Sequence, residues 1–310
     1  YKNTYSLTQS AGYQLENGSL ISAQTSAFQS WITALDNFQS SGVIVFANGN
    51  FNNDNDASFV AALPYWYNGG TDGLGNSVED LSDAWISVLY ADFTGADMSG
   101  ITESEFTLKG NPCGKAAAFC LTVDDFNVNV NTWYNESTGA SNYLLGDGGS
   151  SYGAPMVAGG VALIKQAFPN HTPEQIVDRI LASANNGWFT PDGNTTFTTH
   201  GASIRHGYHD TWGHGLPDFV AAMSPITNDA NPASVTTGGS LDNTDPLAGT
   251  SSNNSQRYSV SSTTLSVPGL MGDAISEGLS NETGYFYDGL NGGFKFNMSS
   301  LVNDEKTIQK

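Results

Sequence analysis

At 310 residues, with 39% hydrophobic and 11% aromatic side chains, the chain is long and apolar enough to bury a sizeable core, which excludes a disordered polymer. Ten Lys and Arg against thirty Asp and Glu give a formal charge of −20, a surface that repels phosphate backbones and excludes nucleic acid as a partner. No apolar run approaches the roughly eighteen residues needed to cross a bilayer as a helix. No charged-then-apolar leader opens the chain, which begins at Tyr1 rather than Met, so either processing has removed an upstream part or the chain is a fragment.

In chain order, Phe28, Trp31, Ile32, Leu35 and Phe38 recur at helical spacing and predict a helix, with Gly42 as its C-cap. Val43 to Ala47 follows as an unbroken apolar run with β-branched residues, the pattern of a strand buried on both faces in a parallel sheet. It ends abruptly at Asn48-Gly49-Asn50, so helix, strand and polar loop make half of a βαβ unit. Further strands are predicted at Trp85–Tyr90 and Ala117–Leu121, and a hairpin around Val128 and Val130.

Cys113 and Cys120 stand seven positions apart, and no His lies between residues 51 and 170 to complete a zinc site. The pair is either two reduced core thiols or a small disulfide loop. The second is preferred and implies an exported, oxidising location. Gly149-Ser150-Ser151-Tyr152-Gly153-Ala154-Pro155 leads into the small-residue apolar segment Met156–Ile164, expected as a central helix packed closely on all sides. Thr172-Pro173-Glu174-Gln175 is a capping box opening another helix, with Ile176, Val177, Ile180 and Leu181 as its buried stripe. Residues 226–256, rich in Asn, Ser, Thr, Gly and Asp, read as a linker. Residues 257–310 read as a short tail with strand-like pieces at Tyr285–Tyr287 and Phe294–Phe296.

Ser151 sits where a Gly-rich turn meets a helix N-terminus, which offers backbone N–H groups and positive potential to a developing oxyanion. Gly149 through Gly159 resembles the subtilase serine signature G-T-S-x-A-x-P-x-V-A-G, with Ser for Thr at Ser150 and Gly for Ala at Gly153. Gly42–Asn50 resembles that family's strand ending in A-A-G-N. The resemblance implies Asn50 as the oxyanion donor, Asn48 in place of the second Ala, and Gly49, Gly149 and Ser150 as the loops around it. Trp85–Asp92 is similar to the strand before the family's substrate cleft, and Trp212–Asp218 to its closing G-x-G-L-x-D/N-A helix. Asn111–Cys120 is similar to a disulfide loop of the autotransporter branch, and Asp288–Phe294 to the segment before that branch's membrane barrel.

The resemblance covers residues 1 to about 224 and implies a three-layer α/β sandwich with a mainly parallel sheet, a subtilisin-like fold. Residues 1–225 are then the C-terminal two-thirds of a peptidase domain, with a polypeptide as substrate and a translocator barrel beyond Lys310. One departure matters. The family's upstream D-T/S-G and H-G-T-H motifs do not occur here, and His171, His200, His206, His209 and His214 all follow Ser151. Each is read as a surface or loop residue, so the general base and its acid are expected upstream of the chain. No metal or other cofactor is expected. Asn52–Asp56 offers oxygen ligands for Ca2+, but it, Asp124-Asp125 and Asp147 read better as solvated loops.

Two rival functions remain open. G-x-S-x-G at Gly149–Gly153 also fits an α/β-hydrolase elbow, with Asp210 and His214 completing an esterase triad, although no strong strand precedes the turn. Alternatively, the chain is an inactive passenger or adhesin module that keeps a peptidase fold.

Overall fold

A computed structural model describes residues 22–71, 77–95, 100–125, 128–198, 204–226, 265–268 and 277–305. The expected linker beyond residue 226, residues 1–21 and His200 lie outside the described residues.

The chain forms a mixed α/β fold. Helix α1 (Ser22–Gln39) precedes strand β1 (Ile44–Ala47), a one-turn helix α2 (Leu63–Trp66) and strand β2 (Trp85–Phe93). Gly42 does not cap α1 through a left-handed residue. It is absent from the positive-φ glycines, and a Cβ there would meet the outer edge of the half-exposed Phe38 ring. Gln39 ties α1 to the sheet by accepting from Ala84 N at 2.8 Å and donating to Asp80 O at 3.0 Å.

The sheet is built around β2. It pairs in parallel with β1 from Ile44↔Trp85 to Ala47↔Val88, and antiparallel with β3 (Phe106–Leu108) at its far end. On its other side β2 pairs in parallel with β4 (Cys120–Asp124). Trp85, Ile86, Val88 and Leu89 are all fully buried, as a strand covered on both faces requires. β4 starts three residues later than the predicted strand, because Gly114–Phe119 is a 3-10 turn rather than extended chain. The expected hairpin is present as β5 (Val128–Asn135) against β6 (Ala140–Asp147).

Helix α3 (Ser150–Ala167) lies against β1 and β2. Its buried residues are Ser150, Gly153, Val157, Gly160 and Ile164, a single stripe, and Phe219 fills the space that a Cβ at Gly160 would occupy. The expected packing on all sides is therefore corrected: Met156 and Leu163 are about half exposed, at 50% and 53%. Helix α4 (Pro173–Ala182) opens with the predicted reciprocal cap. Thr172 Oγ1 accepts from Gln175 N at 3.2 Å, while Gln175 Oε1 accepts from Thr172 N at 3.0 Å.

A hairpin of β7 (Gly193–Phe197) and β8 (Ile204–Tyr208) follows, then the short helix α5 (Phe219–Ala222), whose first turn is capped by Asp218 Oδ1 accepting from Ala221 N at 2.7 Å. Strand β9 (Leu265–Pro268) later pairs in parallel with β12 (Val302–Glu305). Between them, β10 (Thr283–Tyr287) and β11 (Gly293–Asn297) form a hairpin containing both predicted strand pieces. Its turn docks on α4: Asp288 forms an ion pair with Arg179, both side chains fully buried, and Leu290 is also fully buried.

Candidate active site

The loop after β1 is held by one residue, Asn111. Its backbone N–H donates to Gly49 O at 3.0 Å and its Oδ1 accepts from Phe51 N at 2.9 Å. Its Nδ2 donates to Asp54 Oδ2 at 2.9 Å and Asp56 O at 3.0 Å. Gly49 stands at φ +113 with a hypothetical Cβ 2.6 Å from Asn111 Oδ1, so both its conformation and its surroundings require glycine.

This brace presents Asn50 to the start of α3. Ser150 donates to Asn50 Oδ1 twice, from its backbone N at 3.0 Å and from its Oγ at 2.9 Å, and Ser150 Oγ accepts from Gly49 N at 3.1 Å. Because a backbone N–H can only donate, the carboxamide's oxygen must face Ser150. Asn50 Nδ2 is thereby left as a directed donor at an exposed position. The Asn50 amide also lies against Gly149, where a Cβ would come within 3.2 Å of Nδ2.

Ser150, 1% exposed and held on both sides, is a clamp rather than a nucleophile. Ser151, next in the chain, is exposed in the first turn of α3, at the positive end of the helix. The structure thus brings Asn50, Gly49, Gly149 and Ser150 together beside Ser151. Asn48 points elsewhere: it is fully buried, and its Nδ2 donates to Cys120 Sγ at 3.4 Å and Pro112 O at 3.5 Å. It braces the Cys113–Cys120 disulfide, which is formed with Cα atoms 5.9 Å apart.

The histidines need correction. His171, His206 and His214 are buried rather than surface residues. His206 Nδ1 faces His214 Nδ1 at 2.8 Å. The outer nitrogens meet Ala184 O and Ala118 O, both at 3.0 Å, and His214 Nε2 also lies 3.3 Å from Thr195 Oγ1. Burial holds His206 down to about 4 and His214 well below the usual histidine range, so both are neutral in neutral solution. Neither ring nitrogen of His214 reaches Asp210, whose backbone N donates instead to Asp192 Oδ2 at 2.8 Å, nor does either reach Ser151. His171 Nε2 meets Leu290 O at 3.2 Å.

The Asp/Asn run after Asn50 is engaged by protein donors: Asp54 by Asn111, and Asp56 by Lys115 Nζ and Lys115 N. An ammonium on one of its two carboxylates does not fit a Ca2+ cage. Among the described residues no group of three or more His, Cys, Asp or Glu side chains is arranged to hold a metal. The Peptidase S8 family model, the subtilase family, matches residues 4–215, which is 212 of the 310 residues.

The chain belongs to the subtilase family. A search of curated proteins finds no match. Among solved structures, this subtilase chain is similar to fervidolysin from Fervidobacterium pennivorans, a keratinolytic enzyme related to subtilisin, at 22% identity over 66% of this chain and 25% of that one, with a TM-score of 0.36. It is similar to MycP1 from Mycobacterium smegmatis at 19% identity over 73% of this chain and 52% of that one, with a TM-score of 0.35. A third similar structure is PagA, the prenylagaramide maturation protease, at 14% identity over 67% of this chain and 57% of that one, with a TM-score of 0.35. The chain spans from a quarter to a little over half of the length of these three.

Two residues of this subtilase site escaped the sequence reading. In the sequence Asn111 belongs to the disulfide loop, and its sole local signal is a polar side chain between Gly110 and Pro112. Asp125 was read as solvated, yet it is fully buried with neither carboxyl oxygen hydrogen-bonded among the described residues; Asp124 beside it is exposed. Burial pushes the Asp125 carboxyl up to about 7, with the Asp124 charge adding to the rise and the nearby Gly153 backbone N–H opposing it.

Proposed function

We propose that the chain carries the nucleophile and oxyanion half of a serine endopeptidase. Ser151 Oγ attacks a peptide carbonyl, and the tetrahedral oxyanion is held by Asn50 Nδ2 and the Ser151 N–H. Collapse expels the amine and leaves an acyl-enzyme that water then hydrolyses. The observation that carries this reading is the fixed carboxamide of Asn50. With its oxygen occupied by Ser150, its one remaining function is to donate beside an exposed serine at a helix N-terminus.

The general base and its orienting acid come from a segment upstream of these residues. Three of the four described histidines after Ser151 favour this, since His171, His206 and His214 are sealed in backbone contacts and His214 does not meet Asp210. The half-exposed Met156 and Leu163 on α3 favour it too, as apolar surface for an upstream segment to cover. The disulfide supports an exported, oxidising location. Its resemblance to the autotransporter branch extends the proposal to a translocator barrel beyond Lys310.

The test is hydrolysis of a polypeptide by this chain alone and by a longer polypeptide supplying the upstream segment. The chain alone is expected to be silent. In the longer form Ser151→Ala abolishes turnover, and Asn50→Ala lowers kcat by about 10²–10³ with little change in KM. Turnover by residues 1–310 alone that disappears with Ser151→Ala overturns the reading and assigns the base to a downstream histidine.

A further inference from the structure

We propose that Asp125 is a positioning residue for the nucleophile, its carboxylate gripping the first turn of α3 from below through the Gly153 backbone; this deepens the peptidase reading and rests on it. The carboxyl follows directly on β4 and is wholly cut off from solvent, with neither oxygen hydrogen-bonded among the described residues. An orphaned buried carboxyl is costly, so a core position holding one without function is readily replaced by an apolar side chain.

Space for it exists because residue 153 is glycine. A Cβ at Gly153 would lie 2.7 Å from Asp125 Oδ2, 3.1 Å from Val88 Cγ1 and 3.4 Å from Val123 Cβ. The methyl of the Ala in the G-T-S-x-A signature and the Asp125 carboxyl thus compete for one volume, and this chain departs from the signature at the place where its buried acid needs room. Gly153 is two residues after Ser151 in the same helical turn, so whatever moves its backbone moves the Ser151 hydroxyl and N–H.

The surroundings of Asp125 are nearly free of other charge. The other atoms that a Cβ at Gly153 would meet are apolar, Val88 Cγ1 of β2 and Val123 Cβ of β4. The titratable neighbour acting on it is Asp124, which is exposed and accepts from Phe93 N at 3.1 Å; beyond it, Asp92 pairs with Lys109 at 3.3 Å. Among the α3 groups it is the Gly153 backbone N–H that favours the ionised carboxyl, against the larger cost of its burial, and that local attraction is lost on protonation. Above neutrality the turn is held, and below it the turn is released.

The experiment has two arms. In residues 1–310, backbone amide shifts of residues 150–154 are followed by NMR from pH 5 to 9. The Ser151 and Gly153 amides are expected to share one titration near pH 7 that is absent from Asp125→Asn and retained in Ser151→Ala. Amides that do not titrate, or that titrate unchanged in Asp125→Asn, overturn the proposal. Should Asp125→Asn fail to fold, the pair supplies a second route: Gly153→Ala alone destabilises, while Asp125→Ala/Gly153→Ala recovers most of the lost melting temperature. Additive losses overturn the proposal.

In a peptidase-competent polypeptide, Asp125→Asn lowers kcat about 10-fold above pH 8 with KM within twofold, and the ratio returns to one below pH 6. A ratio that does not vary with pH overturns the positioning role. If no form hydrolyses peptides while the amides titrate as stated, it is the peptidase reading that fails, and the grip of Asp125 on the turn stands.

Discussion

Breaking the Arg179–Asp288 pair is expected to cost the protein a large part of its stability. Asp288 Oδ2 accepts from Arg179 Nη2 and from Ile226 N at 2.8 Å, while Oδ1 accepts from Leu290 N at 3.0 Å and Gly292 N at 2.7 Å. Arg179 Nη1 donates to Ala222 O at 2.9 Å and Ser224 O at 3.2 Å, and the guanidinium carbon lies 4.2 Å from the Phe168 ring centroid. Both side chains have no exposure, so removing either leaves an uncompensated charge where water cannot reach it. Such a truncation costs about 3–5 kcal/mol. Asp288→Ala belongs at the upper end, because three backbone N–H groups lose their acceptor along with the guanidinium. Arg179→Ala belongs near the lower end, because the carboxylate keeps those three donors. Arg179→Met/Asp288→Asn removes both charges while retaining an acceptor oxygen, and is expected to cost less than either single change. Urea unfolding followed by the fluorescence of the buried Trp85, Trp188 and Trp212 reads all three. Limited proteolysis should cut near the β10–β11 hairpin in the single variants first. Single-variant losses below 1 kcal/mol, or losses that add in the double, would refute the reasoning.

Two buried groups are expected to give stability slopes of opposite sign. Asp125 is raised from 3.8 to about 7, so its contribution is fully present below 3.8 and lost as pH rises through 7, a change of about 4 kcal/mol. His206 is lowered from 6.5 to about 4, so its contribution is present above 6.5 and lost as pH falls toward 4, about 3 kcal/mol. The wild type should therefore vary little between pH 4 and 7, while Asp125→Asn unmasks loss on acidification and His206→Asn unmasks loss toward alkaline pH; unfolding at several pH values checks both. In a peptidase-competent form, Ser150→Ala removes one of two donors that orient Asn50 and is expected to lower kcat about 5- to 10-fold, the worth of roughly one hydrogen bond. Ser150→Thr should retain most activity, as kinetics at saturating substrate will read.

The elements with strong local signals were legible in the sequence. The β1 and β2 strands follow from apolar runs, α4 from its capping box, and the turn at Ser151 from its small residues ahead of an apolar helix. Asn50 was legible only through resemblance, since an Asn-Gly-Asn turn by itself specifies no chemistry. What could not be read depends on partners far away in the chain. Asn111 acts on Gly49, Phe51 and Asp54, about sixty residues back, and His214 is buried because it meets Ala118, 96 residues back. Asp124-Asp125 has the look of a solvated loop, yet where β4 ends Asp124 stays exposed and Asp125 turns into the interior. The glycine at 153 gave no hint of the acid it accommodates until the strand and helix were brought together.

Active-site labelling of the longer polypeptide with a fluorophosphonate, read by peptide mass spectrometry, tests the central claim most directly. A single adduct on Ser151, sharply reduced by Asn50→Ala, is the predicted result. An adduct on Ser150 or another serine, or no adduct in a form that hydrolyses peptides, would contradict it.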